Sequence, residues 1–186
     1  MSFKDSKFST VLLIVVMGAA FMMLAGGIAL YHLTLTKWWI PVIPGAVAAI
    51  ATLPAFYNKW DVLTGVSSNW VNMLCHVFVA GSVGYFLFLG VNFWCADAGT
   101  DVAEKAEVVE KFQKSHTRYR RVSRRTRVAD GHYYTYHLML RLEDGEEKEV
   151  SVPLKTYNRT RTGSMREIHV QKGALGMRVI KLGVGS

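Results

Sequence analysis

The chain has 186 residues; 51% are hydrophobic, yet 22 Lys and Arg face 14 Asp and Glu, a formal net charge of +8. That length allows one or two compact units, and two cysteines exclude a disulfide-stapled scaffold. Apolar content and charge are segregated: no charged side chain lies between Ser9 and Leu35, none follows Asp61 as far as Trp94, and beyond Cys95 the chain turns polar.

The first apolar run, TVLLIVVMGAAFMMLAGGIALYHL over residues 10–33, supplies the ~20 residues that a helix needs to cross a bilayer. Lys4 and Lys7 precede it as in a signal peptide, but the run is too long for a usual apolar core and lacks a small-x-small cleavage site before a polar start. It is expected to be a retained helix. The second run, WWIPVIPGAVAAIATLPAFY over 38–57, opens with paired tryptophans where an interfacial belt would lie. Its Pro41, Pro44 and Pro54 are tolerable near the ends of a membrane helix.

The third run, NWVNMLCHVFVAGSVGYFLFLGVNFW over 69–94, is bracketed by Trp70 and Trp94. Gly45 with Ala49, and Ala80 with Gly84, place small residues four apart, the spacing of a close helix contact. Asn72 and His76 share one face, and an intramembrane histidine is by default a functional candidate. No carboxylate accompanies it in any of the three runs, so hydrogen bonding to a neighbouring helix is the plainer expectation. Cys75 and Cys95, twenty residues apart at the two ends of a helix stretch, would lie roughly 30 Å apart and cannot pair within one chain.

The expected organisation is a transmembrane domain over 1–95 with three helices, a linker over 96–104, and a small all-β domain over 105–186. In that last part HYYTYHLMLRL alternates, placing Tyr134, Tyr136, Leu138, Leu140 and Leu142 on one face. Asp144-Gly145 then makes a hairpin turn into KEVSVPL. Further strands are expected at 104–113 (a short helix being the less favoured alternative), 164–172 and in GMRVIKL, with KTYNRTRTG as a turn or one helical turn ended by Gly163. About five short strands fit a small barrel or sandwich.

The order of a Val-rich strand, a basic loop, YYTYHLMLRLEDG, a Val strand, TYNRTRTG and a strand ending QKGALGMRVI resembles the small C-terminal β domains of uncharacterised multi-pass membrane proteins from Bacteroidetes-type bacteria. The resemblance rests on turn glycines and strand aromatics. It implies a bacterial envelope protein and carries over no catalytic residue.

No constellation for chemistry stands out. Glu143, Asp144, Glu146, Glu147 and Glu149 gather at a hairpin tip, where water screens them. The six histidines show no metal-ligand spacing, and no G-x-S-x-G elbow or phosphate loop occurs. No enzyme, cofactor or metal is expected.

The densest feature is KFQKSHTRYRRVSRRTR, residues 111–127, with Lys111, Lys114, Arg118, Arg120, Arg121, Arg124, Arg125 and Arg127 and no acid. Phosphate contacts with stacking on Phe112 or Tyr119 describe a nucleic-acid site, but charge alone is only the non-specific part of such binding. Anionic headgroups beside a membrane fit better, since each Lys or Arg near them gains roughly 1 kcal/mol; a solvated hairpin loop that only favours one topology is an equal and compatible reading. Three spans would place the two termini on opposite sides, and the arginine cluster tips the balance toward a cytoplasmic tail of an inner-membrane protein. The expected function is a non-enzymatic membrane protein whose helices anchor a β domain that contacts anionic lipid, an envelope protein or its own copy. The alternative is a small transport or channel subunit built on the helix pack and His76.

Overall fold

A computed structural model describes residues 3–123, 126–143 and 145–181. Four helices come first: α1 (Phe3–His32), α2 (Val42–Phe56), the short α3 (Trp60–Thr64) and α4 (Asn69–Trp94), with a two-residue strand β1 (Thr34–Leu35) between α1 and α2. Strands β2 (Asp97–Arg121), β3 (Arg127–Arg141) and β4 (Glu147–Val152) follow, then helix α5 (Leu154–Arg159) and strands β5 (Met165–Lys172) and β6 (Arg178–Lys181). The five strands expected of the tail are present as β2–β6, and β1 joins them from between α1 and α2; among the described residues they form an open, curled sheet in the order β1-β6-β5-β2-β3-β4, antiparallel in the pairs β1–β6, β2–β3 and β3–β4, and not the expected closed barrel or sandwich.

The chain divides into a helical unit, residues 1–100 with 171–179, and a β unit, residues 101–170 with 180–186. The segment 96–104, expected as a linker, is strand from Asp97 onward, and the unit boundary falls inside it.

Among the described residues of the helical unit two helices are long and apolar enough, by length and composition, to cross a membrane, Phe8–His32 and Asn69–Trp94. The 38–57 run forms a helix only over Val42–Phe56. Fifteen residues rise about 22 Å, short of the ~30 Å hydrocarbon thickness. The reason lies upstream. Thr34 and Leu35 pair with Val179 and Arg178, and residues 37–41 close a turn in which Ile40 N–H donates to the Lys37 carbonyl at 3.1 Å. Pro41 has no N–H to extend the helix backward, whereas Pro44 sits in the first turn, where no such bond is needed.

The directions of the helices follow from their contacts. Gly45 of α2 meets Gly81 and Tyr85 of α4, while Thr52 meets His76, so α2 runs antiparallel to α4. Gly26 and Gly27 of α1 meet Phe86 and Tyr85, and Val16 shares a groove with His76 and Ala80, so α1 and α4 run parallel. The C-terminal ends of both long helices meet the same segment. Leu35, just past α1, pairs with Arg178, and Asn92 near the end of α4 bonds to the 173–177 turn.

In the β unit the alternation expected from sequence places Leu138, Leu140, Val150, Val152, Ile168 and Val170 in the core. Ala106, Val108 and Leu142 are buried with them. The β3–β4 turn has Gly145 at φ +81, the left-handed region glycine adopts without strain; its expected partner Asp144 lies outside the described residues. The 154–163 stretch forms α5 and ends at Gly163, φ +78, whose N–H donates to the Val108 carbonyl at 2.8 Å.

Candidate functional site

The basic stretch is a two-stranded ribbon. β4 accompanies β3 only from Arg141 to Tyr136, whereas β2 and β3 stay paired out to Arg121 opposite Arg127. The residues beyond form an arm from Gln113 to Arg121 and back from Arg127 to Thr135, nearly all of it exposed. A register shift between Thr117 and Tyr119 sets Arg118 against Asp130 and Gly131, whose φ of +86 suits the bulge. Isolated two-stranded ribbons are marginal in water, so the root of this arm must be braced.

Two braces are present, one on each face. On one, Lys111 Nζ donates to the Thr160 carbonyl at 2.5 Å and lies 4.4 Å from the Tyr157 ring centre. Tyr157 also packs on Tyr136, and Arg166 donates to Thr160 Oγ1 at 2.7 Å. On the other, Glu149 accepts from Lys114 at 2.5 Å and pairs with His137 Nδ1 at 2.8 Å. His137 Nε2 reaches Thr135 Oγ1 at 2.9 Å, which His116 Nε2 shares at 3.1 Å. Phe112 stacks on His137 and Tyr133 on His116. Hydroxyl, imidazole and carboxylate stand here in the order that activates a nucleophile, but the hydroxyl is shared by two imidazoles and Phe112 covers one ring. The arrangement is that of a brace.

The eight expected cations therefore separate. Lys111 and Lys114 are held within the β unit. Arg118, Arg120, Arg121 and Arg127 stand exposed at the outer arm, with Arg121 Nε donating to the Ser123 carbonyl at 3.1 Å, and Arg124 and Arg125 lie outside the described residues. Tyr119 and Val128 are exposed among them. The acidic tip is also partly committed. Glu147 binds Arg141 at 2.7 Å, and this hydrogen bond, with the charge behind it, raises the guanidinium's already high pKa.

The helical unit holds the other candidates. His76 is buried: the Trp60 indole N–H donates to its Nδ1 at 3.3 Å, and its Nε2–H donates to Thr52 Oγ1 at 2.9 Å and the Ala49 carbonyl at 3.2 Å. This fixes the neutral tautomer with the proton on Nε2. Phe56 stacks on the ring, and Thr64 Oγ1 donates to Asn72 Oδ1 at 3.0 Å. Gly45 and Ala49 are buried on α2, Gly84 packs against Gly45 and Ala48, and Ala80 is half-buried beside the groove lined by Val16 and His76. Gly26, Gly27 and Gly81 complete the contact surface; the G-G pair in the first run was the available sign of the first two.

Among the described residues no group of three or more His, Cys, Asp or Glu is placed to hold a metal ion. Comparison with protein-family models, curated proteins and solved structures finds no match.

Proposed function

We propose that the chain is a non-enzymatic integral membrane protein whose helices anchor the β unit, and that the β unit binds an anionic partner through its arm. The observation that carries this reading is the arm: a ribbon braced on both faces at its root, exposed beyond, and carrying four arginines against the single acid Asp130. Cation density maintained on a braced, exposed element suits capture of an anion more than folding, because like charges on neighbouring strands repel.

The parallel course of α1 and α4 supports three passes. A chain that leaves α1 at one end and enters α4 at the other must return between them, and α2 runs in that direction. On this reading α2 is a short pass completed by its non-helical flanks. The N-terminus and the tail then face opposite sides, and the arginine-rich arm favours a cytoplasmic tail at a bacterial inner membrane. The bacterial source rests on the resemblance of the β domain and of the three-helix arrangement to uncharacterised multi-pass proteins of Bacteroidetes-type bacteria. His76, with both ring nitrogens engaged, reads as packing between helices, which weakens the transport or channel alternative.

A protein is favoured as partner, an envelope protein or a second copy, because the arm offers backbone hydrogen-bonding edges as well as charge; anionic lipid is the second reading. The full-length protein in nanodiscs of neutral lipid should retain polyglutamate or phosphatidylglycerol vesicles at low salt and release them as salt rises. The variant with Arg118, Arg120, Arg121 and Arg127 changed to Gln should retain neither. Equal retention by both proteins rejects the arm as the binding element, and release of the protein from native membranes by carbonate rejects the anchor.

A further inference from the structure

We propose that the open edge of β3 beyond the end of β4 receives an extended, acidic segment of a partner protein as an added strand. This rests on the arm being the binding element and adds the mode of binding and the chemistry of the partner.

The lane beside β3 is vacated abruptly. The last β4 pair is Val152 with Tyr136, and the next residue is Pro153 (φ −62, ψ 152), after which the chain turns into α5. Proline cannot donate to a ladder and suits the entry to a helix. β3 nevertheless continues to Arg127, with β2 on its other side and, among the described residues, no strand of the sheet in the lane that β4 has left.

The phase of the edge can be read from the turn. Leu142 N–H donates to the Glu146 carbonyl, and the Leu142 carbonyl accepts from Gly145 N–H, both at 2.9 Å, so the backbone groups of Leu142 face the β4 lane. Strand alternation gives Leu140, Leu138, Tyr136, Tyr134 and His132 the same direction. Tyr134 and His132 lie past the end of β4 and are exposed. An incoming strand can therefore continue the lane of β4 and bond to these two residues, which is how extended peptides add to sheet edges.

Charge selects the occupant. Arg127 is on β3 itself; Arg120 and Arg121 stand one strand further in, opposite Val128 and Arg127, and Arg118 projects from the bulge. Between residues 113 and 135 the only acid is Asp130. A basic strand would be repelled, whereas acidic side chains on an added strand come within reach of these guanidiniums. A third strand would also stabilise a marginal two-stranded ribbon, so binding should order the arm.

The test uses full-length protein in nanodiscs of neutral lipid and three probes: a short peptide of alternating Glu and Val, the same peptide N-methylated throughout, and phosphatidylglycerol vesicles. The unmodified peptide should bind, and slow hydrogen exchange at the amides of His132 and Tyr134. N-methylation, which keeps the charge and removes the donors, should weaken it by about tenfold or more. Tyr134→Pro should weaken binding by about fivefold or more, because the lost N–H faces the open lane and leaves the β2–β3 ladder intact. Equal binding of the two peptides overturns strand addition in favour of charge alone, without relying on any variant's folding. Binding of vesicles but neither peptide overturns strand addition while leaving the arm as the binding element; binding of no probe removes both.

Discussion

Asn92 and Gly173 approach so closely that a β-carbon on Gly173 would lie 2.3 Å from Asn92 Oδ1 and 2.4 Å from its Nδ2. The fully buried amide holds a turn in place: Nδ2 donates to the Met177 carbonyl at 3.1 Å and Oδ1 accepts from Leu175 N–H at 3.0 Å. Asn92→Leu should lower the stability of the protein in detergent by about 1–3 kcal/mol, since Leu175 N–H loses its partner and the Met177 carbonyl keeps only the bond from Gly173 N–H. Gly173→Ala should act in the same direction by displacing the amide. Thermal unfolding curves superimposable on that of the parent would show that the clamp contributes nothing.

The contact between α2 and α4 makes a second prediction with a built-in control. A β-carbon on Gly84 would lie 3.0 Å from Ala48 Cβ and 3.1 Å from Gly45 Cα, leaving no space for a larger side chain. Gly84→Leu should separate the helices and cost about 1–3 kcal/mol. Gly18 on α1 is exposed and has nothing within 4 Å of its would-be β-carbon, so Gly18→Ala should be neutral or slightly stabilising. Equal losses for the two variants would show that the close contact at Gly84 is not the source of its cost.

His76→Phe keeps a planar ring to stack on Phe56 but removes the acceptor for the Trp60 indole and the donor to Thr52. A buried N–H left without a partner costs about 1–3 kcal/mol, so melting in detergent should shift downward. Function should survive under conditions where the variant remains folded. Loss of function at unchanged stability would instead give the imidazole an active role and revive the transport alternative.

Much of the β unit was legible because alternation marks a strand face directly: Leu138, Leu140, Val150 and Val152 are buried as their spacing requires. The membrane part was legible in hydropathy but not in helix ends. Apolar content continues through Trp38 and Pro41, whereas the helix begins at Val42 because β1 pairs with a strand more than a hundred residues later. Local pattern carries no sign of that pairing. The 96–104 segment reads as a linker for a similar reason: Asp97, Gly99 and Asp101 are poor strand formers, and what secures the strand here is distant in sequence, Lys172 N–H donating to Thr100 Oγ1 and His169 meeting Asp101. The basic cluster was visible as charge, but its separation into braced Lys111 and Lys114 and an exposed arginine arm depended on Thr160 and Glu149, both distant in sequence.

Lys148 points into the core from β4, an edge strand, beside Val150 and Val152 and opposite Leu140. An inward-facing charge on an edge strand blocks edge-to-edge association at a cost in stability. Burial lowers the pKa of this ammonium from 10.5, with only partial compensation from the charge of Glu146. The sign of the effect is fixed by linkage. Below the lowered pKa the folded chain holds a buried cation and is destabilised; as pH rises through that value the proton leaves the folded state first, so stability climbs until pH approaches 10.5, where the unfolded chain also deprotonates. Lys148→Met should remove this rise and stabilise the β unit at neutral pH by about 1–2 kcal/mol. The same substitution should promote self-association through the β4 edge, seen as a larger species in detergent at high protein concentration. Urea unfolding of parent and variant across the alkaline range measures the first effect, and an identical pH slope in the two would show that the buried ammonium is not its source.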